Sequence, residues 1–195
     1  MRILAFITLV IAATAATFVL AAARTPEHTS NMSHKNLDLP PLNDPRIVVR
    51  KSERKLDIFD GGQLVKSYSM VLGFKPEGDK ETEGDGKTPE GEFYVFTKNP
   101  QSKFHLSVGI SYPSKVDAVR GLKQGLISRE EHDLITAAID EKKMPLQKTK
   151  LGGEIYIHGG GTAGDWTDGC MALKNEEIKE IFDAVPIGTP VTILP

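Results

Sequence analysis

Short apolar runs separated by tight turns begin at Arg46, and they constrain the fold of this 195-residue chain more than any other feature. The segment Lys55–Phe59 alternates apolar and polar residues, and a second alternating segment runs from Gln63 to Leu72. Between them lies Asp60-Gly61-Gly62, and a D-G turn between alternating segments is the strongest short-range signal of a β-hairpin. With Ile47-Val48-Val49 as a preceding strand, the sequence predicts an antiparallel meander at the start of a mainly β domain.

Further strands and two helices complete the pattern. A capping box of Ser128 and Glu131 begins one helix, and its apolar stripe ends before Met144, so a helical insertion is predicted over about residues 126–144. The other helix is predicted to begin at Asn175, which is expected to be its N-cap. The fold class is therefore predicted to be mainly β with flanking helices, that is, α+β. The remaining strands are predicted at Phe93–Phe96, Lys103–Pro113, Ile155–Ile157 and Val191–Leu194.

Residues 1–23 have the pattern of an export signal. A single basic residue, Arg2, precedes an uncharged and mostly apolar run that ends in three alanines at Ala23. Such a run predicts a cleaved signal peptide, and its length also fits an uncleaved membrane anchor. Both interpretations place the rest of the chain outside the cytoplasm, in the periplasm or cell envelope. Residues 24–45 are polar and proline-rich and are predicted to be a flexible linker, which leaves residues 46–195 as the folded domain.

Charge and short motifs exclude several classes of function. The formal net charge is −2 and no long basic run is present, so no nucleic-acid partner is predicted. The sequence has no H-E-x-x-H, no C-x-x-C and no P-loop, so neither a metal centre nor a cofactor is predicted. His28 and His34 of the linker lack the neighbouring ligands that a metal site needs. Contact with a membrane is expected only if the N-terminal segment stays uncleaved.

The only cysteine, Cys170, follows a glycine-rich loop that begins at His158. In an exported chain a lone cysteine cannot form an internal disulfide, and its free thiol therefore needs an explanation. A nearby imidazole can accept the proton of a thiol, and glycines allow backbone N–H groups to approach a substrate carbonyl. The pattern predicts a site for cysteine acyl transfer; the alternative is a small buried residue without chemistry.

The segment Glu154–Asn175 resembles the active-site signature of the L,D-transpeptidases of bacterial cell walls, the YkuD/ErfK family. The usual pattern of that family is H-G, a variable loop, and then S/T-H-G-C followed by an apolar residue. His158-Gly159 matches the first part, whereas Asp168 stands where most members have a second histidine. The second part is matched by Thr167, Gly169, Cys170 and Met171.

A second motif lies upstream in the order expected for this family. The segment from Gly86 to Phe93 reads G-K-T-P-E-G-E-F, which resembles the family pattern G-x-T-P-x-G-x-F/Y. The resemblance covers most of the chain from Arg46 to Leu194, and it implies the β-sandwich or open-barrel fold of the YkuD catalytic domain.

The resemblance also implies roles for individual residues. Cys170 is expected to be the nucleophile and His158 its base, oriented by the backbone carbonyl of Gly159. The carboxylate of Asp168 is expected to point away from the sulfur, because it would otherwise raise the thiol pKa. The thiol pKa itself is expected to be depressed, with rapid alkylation. Oxyanion-hole candidates are the N–H groups of Asp168, Gly169 and Cys170. Predicted substrate contacts are Thr167, Asp168, Gly169, Gly160 and Tyr112, with packing in the core as the alternative for Tyr112.

The substrate class implied by the family is the peptide stem of peptidoglycan. The thiol would attack the bond between the diamino acid and D-Ala of a tetrapeptide stem and form a thioester. Transfer to an amine of another stem or of a lipoprotein would make a cross-link or an attachment, and transfer to water would make the protein an L,D-carboxypeptidase or hydrolase. A non-catalytic wall-binding module is the alternative from another class. A paired-carboxylate hydrolase using Asp165 and Asp168 has only their proximity in its favour.

Overall fold

The computed structural model describes residues 39–195; the predicted signal or anchor segment and most of the linker lie outside these residues. The described residues contain eight strands and three helices, and none of these helices is long and apolar enough to cross a bilayer. The strands are β1 (Pro45–Arg50), β2 (Lys55–Asp60), β3 (Gln63–Ser69), β4 (Gly91–Ser102), β5 (His105–Ile110), β6 (Tyr156–His158), β7 (Met171–Ala172) and β8 (Pro190–Leu194). The helices are α1 (Lys115–Lys123), α2 (Arg129–Asp140) and α3 (Asn175–Ala184).

The eight strands form one mixed sheet in the order β3-β2-β1-β8-β4-β5-β6-β7. The predicted antiparallel meander of β1, β2 and β3 is confirmed, and β8 adds to it in parallel to β1. The segment after β3 returns to the far edge of the sheet, where Val71 exchanges backbone hydrogen bonds of 2.9 and 3.0 Å with Ala172 of β7. The sheet therefore curls into a half-barrel, and the predicted mainly β fold class is confirmed.

The core lies inside this curl, and α3 covers one side of it. Ile178, Ile181 and Val185 of the α3 region are fully buried against the sheet. Complete burial of an aliphatic side chain of this size contributes about 1.5–3 kcal/mol relative to leaving it exposed. A smaller apolar cluster beneath α1 and α2 contains Ala118, Ile127, Ile135 and Leu151.

Three local predictions need correction. The insertion predicted over about residues 126–144 contains α2 but misses α1, where Val116 and Val119 are exposed and the buried apolar positions are the small residues Ala118 and Gly121. The N-cap of α3 is Lys174 rather than Asn175. The alternation predicted from Gln63 to Leu72 is interrupted in β3, because a β-bulge opposite Ile58 and Phe59 shifts the register and leaves Leu64 56% exposed.

Candidate active site

The curled sheet brings His158 and Cys170 into one cleft of about 950 Å³. His158 ends β6, and Cys170 immediately precedes β7. The two strands are parallel neighbours, with Ile157 opposite Met171 and His158 opposite Ala172. Because side chains alternate between the two faces of a sheet, His158 and Cys170 project from the same face of this strand pair.

The His158 imidazole is held in one orientation by its own backbone. Its Nδ1 lies 2.6 Å from the carbonyl oxygen of Gly159. A carbonyl oxygen can only accept, so Nδ1 carries the hydrogen and the neutral ring has its acceptor at Nε2. Only glycine fits at position 159, because a Cβ there would lie 2.5 Å from Oδ1 of Asn175 and 2.7 Å from the carbonyl oxygen of Phe104.

Two aromatic side chains enclose the imidazole, and neither was predicted as a site residue. The ring of Phe104 stacks on His158 with centroids 4.5 Å apart, and Trp166 meets the imidazole edge-on at 5.6 Å. Burial lowers the pKa of His158; the hydrogen bond to Gly159 raises it, and the nearby charge of Lys103 lowers it further. The sum is a lowered pKa, so the imidazole is neutral at pH 7 and able to accept a proton.

Two backbone groups contact the Cys170 thiol. The N–H of Tyr156 donates to Sγ at 3.3 Å, and the thiol donates to the carbonyl oxygen of Glu154 at 3.5 Å. Burial raises the pKa of the thiol to about 11; the N–H of Tyr156 and the charge of Lys80 lower it, whereas the charges of Asp168 and Glu154 raise it. The expectation of a depressed thiol pKa is therefore wrong, because desolvation outweighs the groups that stabilise a thiolate.

This environment predicts slow alkylation of the free protein at neutral pH. With a pKa of about 11, only about one Cys170 thiol in ten thousand is ionised at pH 7, whereas an ordinary cysteine is a few per cent ionised. We expect the rate of iodoacetamide labelling to increase about tenfold for each pH unit up to pH 10. Intact mass spectrometry measures this rate, with Cys170→Ser as the unlabelled control. A plateau below pH 8 would contradict the prediction.

Thr167 fixes the turn that presents the thiol. Its buried hydroxyl donates to the carbonyl oxygen of Cys170 at 2.7 Å and accepts from the N–H of Gly169 at 3.2 Å. Its own N–H donates to the carbonyl oxygen of Leu72 at 3.2 Å, which ties the turn to the body of the domain. One of the three predicted oxyanion donors, the N–H of Gly169, is thus already engaged. The N–H groups of Asp168 and Cys170 remain the better candidates.

Asp165 anchors the loop between His158 and Cys170. Its carboxylate accepts a 2.7 Å hydrogen bond from Nη2 of Arg54 and a 2.8 Å hydrogen bond from the N–H of Leu72. Partial burial raises the pKa of Asp165, but these hydrogen bonds lower it below its usual value. A general acid needs the opposite shift, so the paired-carboxylate alternative has no support in the geometry.

Asp168 does not point away from the sulfur as expected. Its side chain is exposed, lines the cleft, and raises the pKa of the Cys170 thiol, although less than burial does. Among residues 39–195 no cation forms an ion pair with its carboxylate, and no backbone N–H binds it. Its charge therefore faces the cleft.

Two predicted substrate contacts are engaged elsewhere. The N–H of Gly160 donates to Oδ1 of Asn175 at 2.9 Å, so this donor is occupied. Tyr112 is fully buried: its hydroxyl donates to the carbonyl oxygen of Leu151 at 2.9 Å, and its ring packs near Phe93. Tyr112 is thus a core residue that does not line the cleft, and its assignment to substrate binding is wrong. In the described part of the chain, no group of three or more potential ligands could hold a metal ion.

Comparison with known proteins connects this geometry to a family. Residues 44–193 match the family model of YkuD, the L,D-transpeptidase catalytic domain. YafK of Escherichia coli K12, which is provisionally named an L,D-transpeptidase, is 27% identical over 146 residues. This alignment covers 71% of the present chain and 46% of YafK, so the chain spans about half the length of the curated relatives it matches.

Solved structures share the fold. The helical cell shape determining protein Pgp2 from Campylobacter jejuni matches with a TM-score of 0.54 and 23% identity, covering 82% of this chain and 51% of Pgp2. Bd1075 from Bdellovibrio bacteriovorus matches with a TM-score of 0.52 and 23% identity, covering 78% of this chain and 48% of Bd1075. At this level of identity, the likeness concerns the fold alone.

Proposed function

The chain belongs to the YkuD family of L,D-transpeptidase catalytic domains, and we propose that it is an exported cysteine acyltransferase that acts on the peptide stems of peptidoglycan. The observation that carries this proposal is the presence of a lone thiol and an oriented imidazole on one face of a strand pair and in one cleft. Catalysis is assigned to Cys170, His158 and Gly159, which supply the nucleophile, the base and the carbonyl that orients the base.

In the first half-reaction, Sγ of Cys170 attacks the carbonyl carbon of the diamino acid of a tetrapeptide stem. The thiol proton passes to Nε2 of His158 while the C–S bond forms, because the resting thiol is not ionised. Backbone N–H groups of Asp168 and Cys170 are proposed to hold the oxyanion, and each such donor contributes roughly 3 kcal/mol in a transition state. The C–N bond then breaks, and His158 returns the proton to the amine of the leaving D-Ala.

In the second half-reaction, an amine attacks the thioester carbon and His158 accepts a proton from it. The C–S bond then breaks, and His158 passes this proton to Sγ, which restores the thiol. A cleft of about 950 Å³ is at the upper end of the size range of ligand sites and is large enough for two peptide segments. The acceptor amine is proposed to belong to a second stem, which gives a cross-link between stems, or to a lipoprotein. Such a role in wall organisation is in keeping with Pgp2, a cell shape determining protein of the same fold.

Water is the alternative acceptor, and it would make the protein an L,D-carboxypeptidase. The periplasm or cell envelope is the proposed location for both activities. A wall-binding module without catalysis is the remaining alternative, and it requires the thiol to be dispensable.

Incubation with purified tetrapeptide muropeptides tests the proposal. We expect an adduct of wild-type protein whose mass equals that of the donor without D-Ala, together with release of D-Ala and formation of stem dimers. Release of D-Ala with tripeptides alone would identify the carboxypeptidase. If wild-type protein behaves like Cys170→Ala, which lacks the nucleophile, neither enzyme assignment holds and the binding module is favoured.

A further inference from the structure

The cleft carries opposite charges at its two reactive groups. The exposed carboxylates of Asp168 and Glu154 lie on the side of the sulfur, and both line the cleft. The ammonium of Lys103 lies on the side of the base, 4.9 Å from the centroid of the Phe104 ring that stacks on His158. Within residues 39–195 none of these three charges forms an ion pair, so all three are available to a ligand.

This arrangement is the reverse of what a thiolate–imidazolium pair needs. A thiolate is stabilised by a neighbouring positive charge and an imidazolium by a neighbouring negative charge. Here Asp168 and Glu154 disfavour ionisation of the thiol, and Lys103 disfavours protonation of the imidazole. The free site therefore holds both groups neutral.

The other charged residues of the cleft do not reverse this arrangement of charges. Lys80 is the cation that acts on Cys170, but its ammonium is buried and binds the carboxylate of Asp85 at 2.8 Å and the carbonyl oxygen of Thr82 at 2.9 Å. Its charge is thus largely compensated. The remaining charged residues that line the cleft are of both signs: Glu83, Glu131, Lys148 and Lys150.

We propose that the donor is recognised as a zwitterion, with its terminal carboxylate at Lys103 and its ammonium at Asp168 and Glu154, and that binding of these charges activates Cys170. This inference rests on the proposed function. A cation beside Asp168 cancels the negative field at the sulfur, and an anion beside Lys103 cancels the positive field at the imidazole. Proton transfer from Sγ to Nε2 is then easier in the complex than in the free protein.

A donor stem has the required charges at its end. The terminal D-Ala carries a carboxylate next to the bond that breaks, and the side chain of the diamino acid carries an ammonium. These are the groups that would meet Lys103 on one side of the nucleophile and Asp168 on the other. Asp168 and Lys103 are therefore proposed as specificity-determining residues of the site.

Substitution of Asp168 tests the inference, because two rates should change in opposite directions. Asp168→Asn removes a negative charge from beside the sulfur, so labelling of the free protein by neutral iodoacetamide should accelerate about two- to fivefold. The same change removes a partner of the ammonium, so acylation by the tetrapeptide donor should slow about tenfold. A structural effect that loosens the loop would also expose the thiol and slow acylation, but it would slow acylation of every donor, so the modified donors separate it from an effect of charge.

Modified donors identify the group that each residue recognises. Acetylation of the side-chain amine should slow acylation of the wild type about tenfold and abolish its difference from Asp168→Asn. Amidation of the terminal carboxylate should likewise slow acylation of the wild type about tenfold and abolish its difference from Lys103→Gln. Glu77→Gln and Lys75→Gln are matched controls, because both residues are exposed and neither lines the cleft. These controls should acylate at the wild-type rate with every donor.

The outcomes separate this inference from the proposed function. Thioester formation that is equally fast with charged, acetylated and amidated donors would overturn zwitterion recognition and leave the acyltransferase assignment intact. A decrease of both rates in Asp168→Asn would also overturn it. Wild-type protein that forms no thioester with any of the donors would overturn the proposed function and the inference together.

Discussion

His158→Gln is expected to slow acylation of Cys170 by a tetrapeptide donor by about 10²- to 10⁴-fold. The reason is the protonated state of the thiol: with a pKa of about 11, attack depends on a base that removes the proton as the C–S bond forms. Glutamine preserves much of the size of the buried side chain but cannot accept this proton. Single-turnover acylation followed by intact mass spectrometry gives the rate directly.

The pH dependence gives a second readout of the same change. The base is active above its own pKa, and burial and Lys103 lower the pKa of His158 below 6.5, with the hydrogen bond to Gly159 acting in the other direction. Wild-type acylation should therefore decline only as the pH falls below 6.5. His158→Gln should lose this acidic limb and keep a rate that rises with pH as the thiol ionises.

Two variants show whether the loss belongs to the base. His132→Gln is the matched control, because His132 lies on α2, pairs with Asp133 and does not line the cleft. His158→Ala should lose about as much of the rate as His158→Gln, because both variants lack the imidazole that accepts the proton. A loss below tenfold in His158→Gln would mean that another group accepts the proton.

The strands and the placement of His158 and Cys170 in one cleft could be predicted from the sequence because their signals are local. Alternation in Lys55–Phe59 and the turn at Asp60-Gly61-Gly62 specify a hairpin without reference to the rest of the chain. The H-G and T-D-G-C segments likewise identify His158 and Cys170 by their neighbours in sequence. In α1 the apolar signal is weak, because its valines are exposed and its buried apolar positions are small residues.

The environment of His158 and Cys170 could not be predicted, because it depends on burial and on residues far apart in sequence. Phe104 and Trp166 meet on the imidazole only after β5 and the loop following β6 come together. The thiol pKa was expected to fall on the basis of the neighbouring histidine. In the fold, burial dominates, and the carboxylate of Glu154 adds to it from the segment before β6.

The folded chain also explains why two motifs separated by about 80 residues occur together. The G-K-T-P segment and the T-D-G-C segment are in contact through backbone atoms. A Cβ at Gly73 would overlap the carbonyl oxygen of Gly86 and lie 3.1 Å from Cα of Gly169. A Cβ at Gly169 would lie 2.6 Å from the carbonyl oxygen of Lys87. The first motif is thus the surface against which the turn before Cys170 packs.

Gly169→Ala is therefore expected to destabilise the domain by more than the strain of its backbone alone. Gly169 has φ of +129°, and Gly164 in the same loop has a similar φ of +119° but nothing within 4 Å of a Cβ. Both substitutions should cost about 1–3 kcal/mol from strain. Only Gly169→Ala should cost about 1–3 kcal/mol more, because the added methyl group meets the Lys87 carbonyl.

Urea unfolding of both variants measures the difference in their free energies of unfolding. Acylation assays show whether the displacement of the turn also changes the reaction at Cys170. A displaced Gly169 moves the N–H groups proposed to hold the oxyanion, so Gly169→Ala should also slow acylation, whereas Gly164→Ala at the exposed part of the loop should not. Equal free energies of unfolding would mean that the turn moves away from the Lys87 carbonyl at no cost in stability. Equal acylation rates of the two variants would mean that the contact between Gly169 and Lys87 does not position the N–H groups proposed to hold the oxyanion.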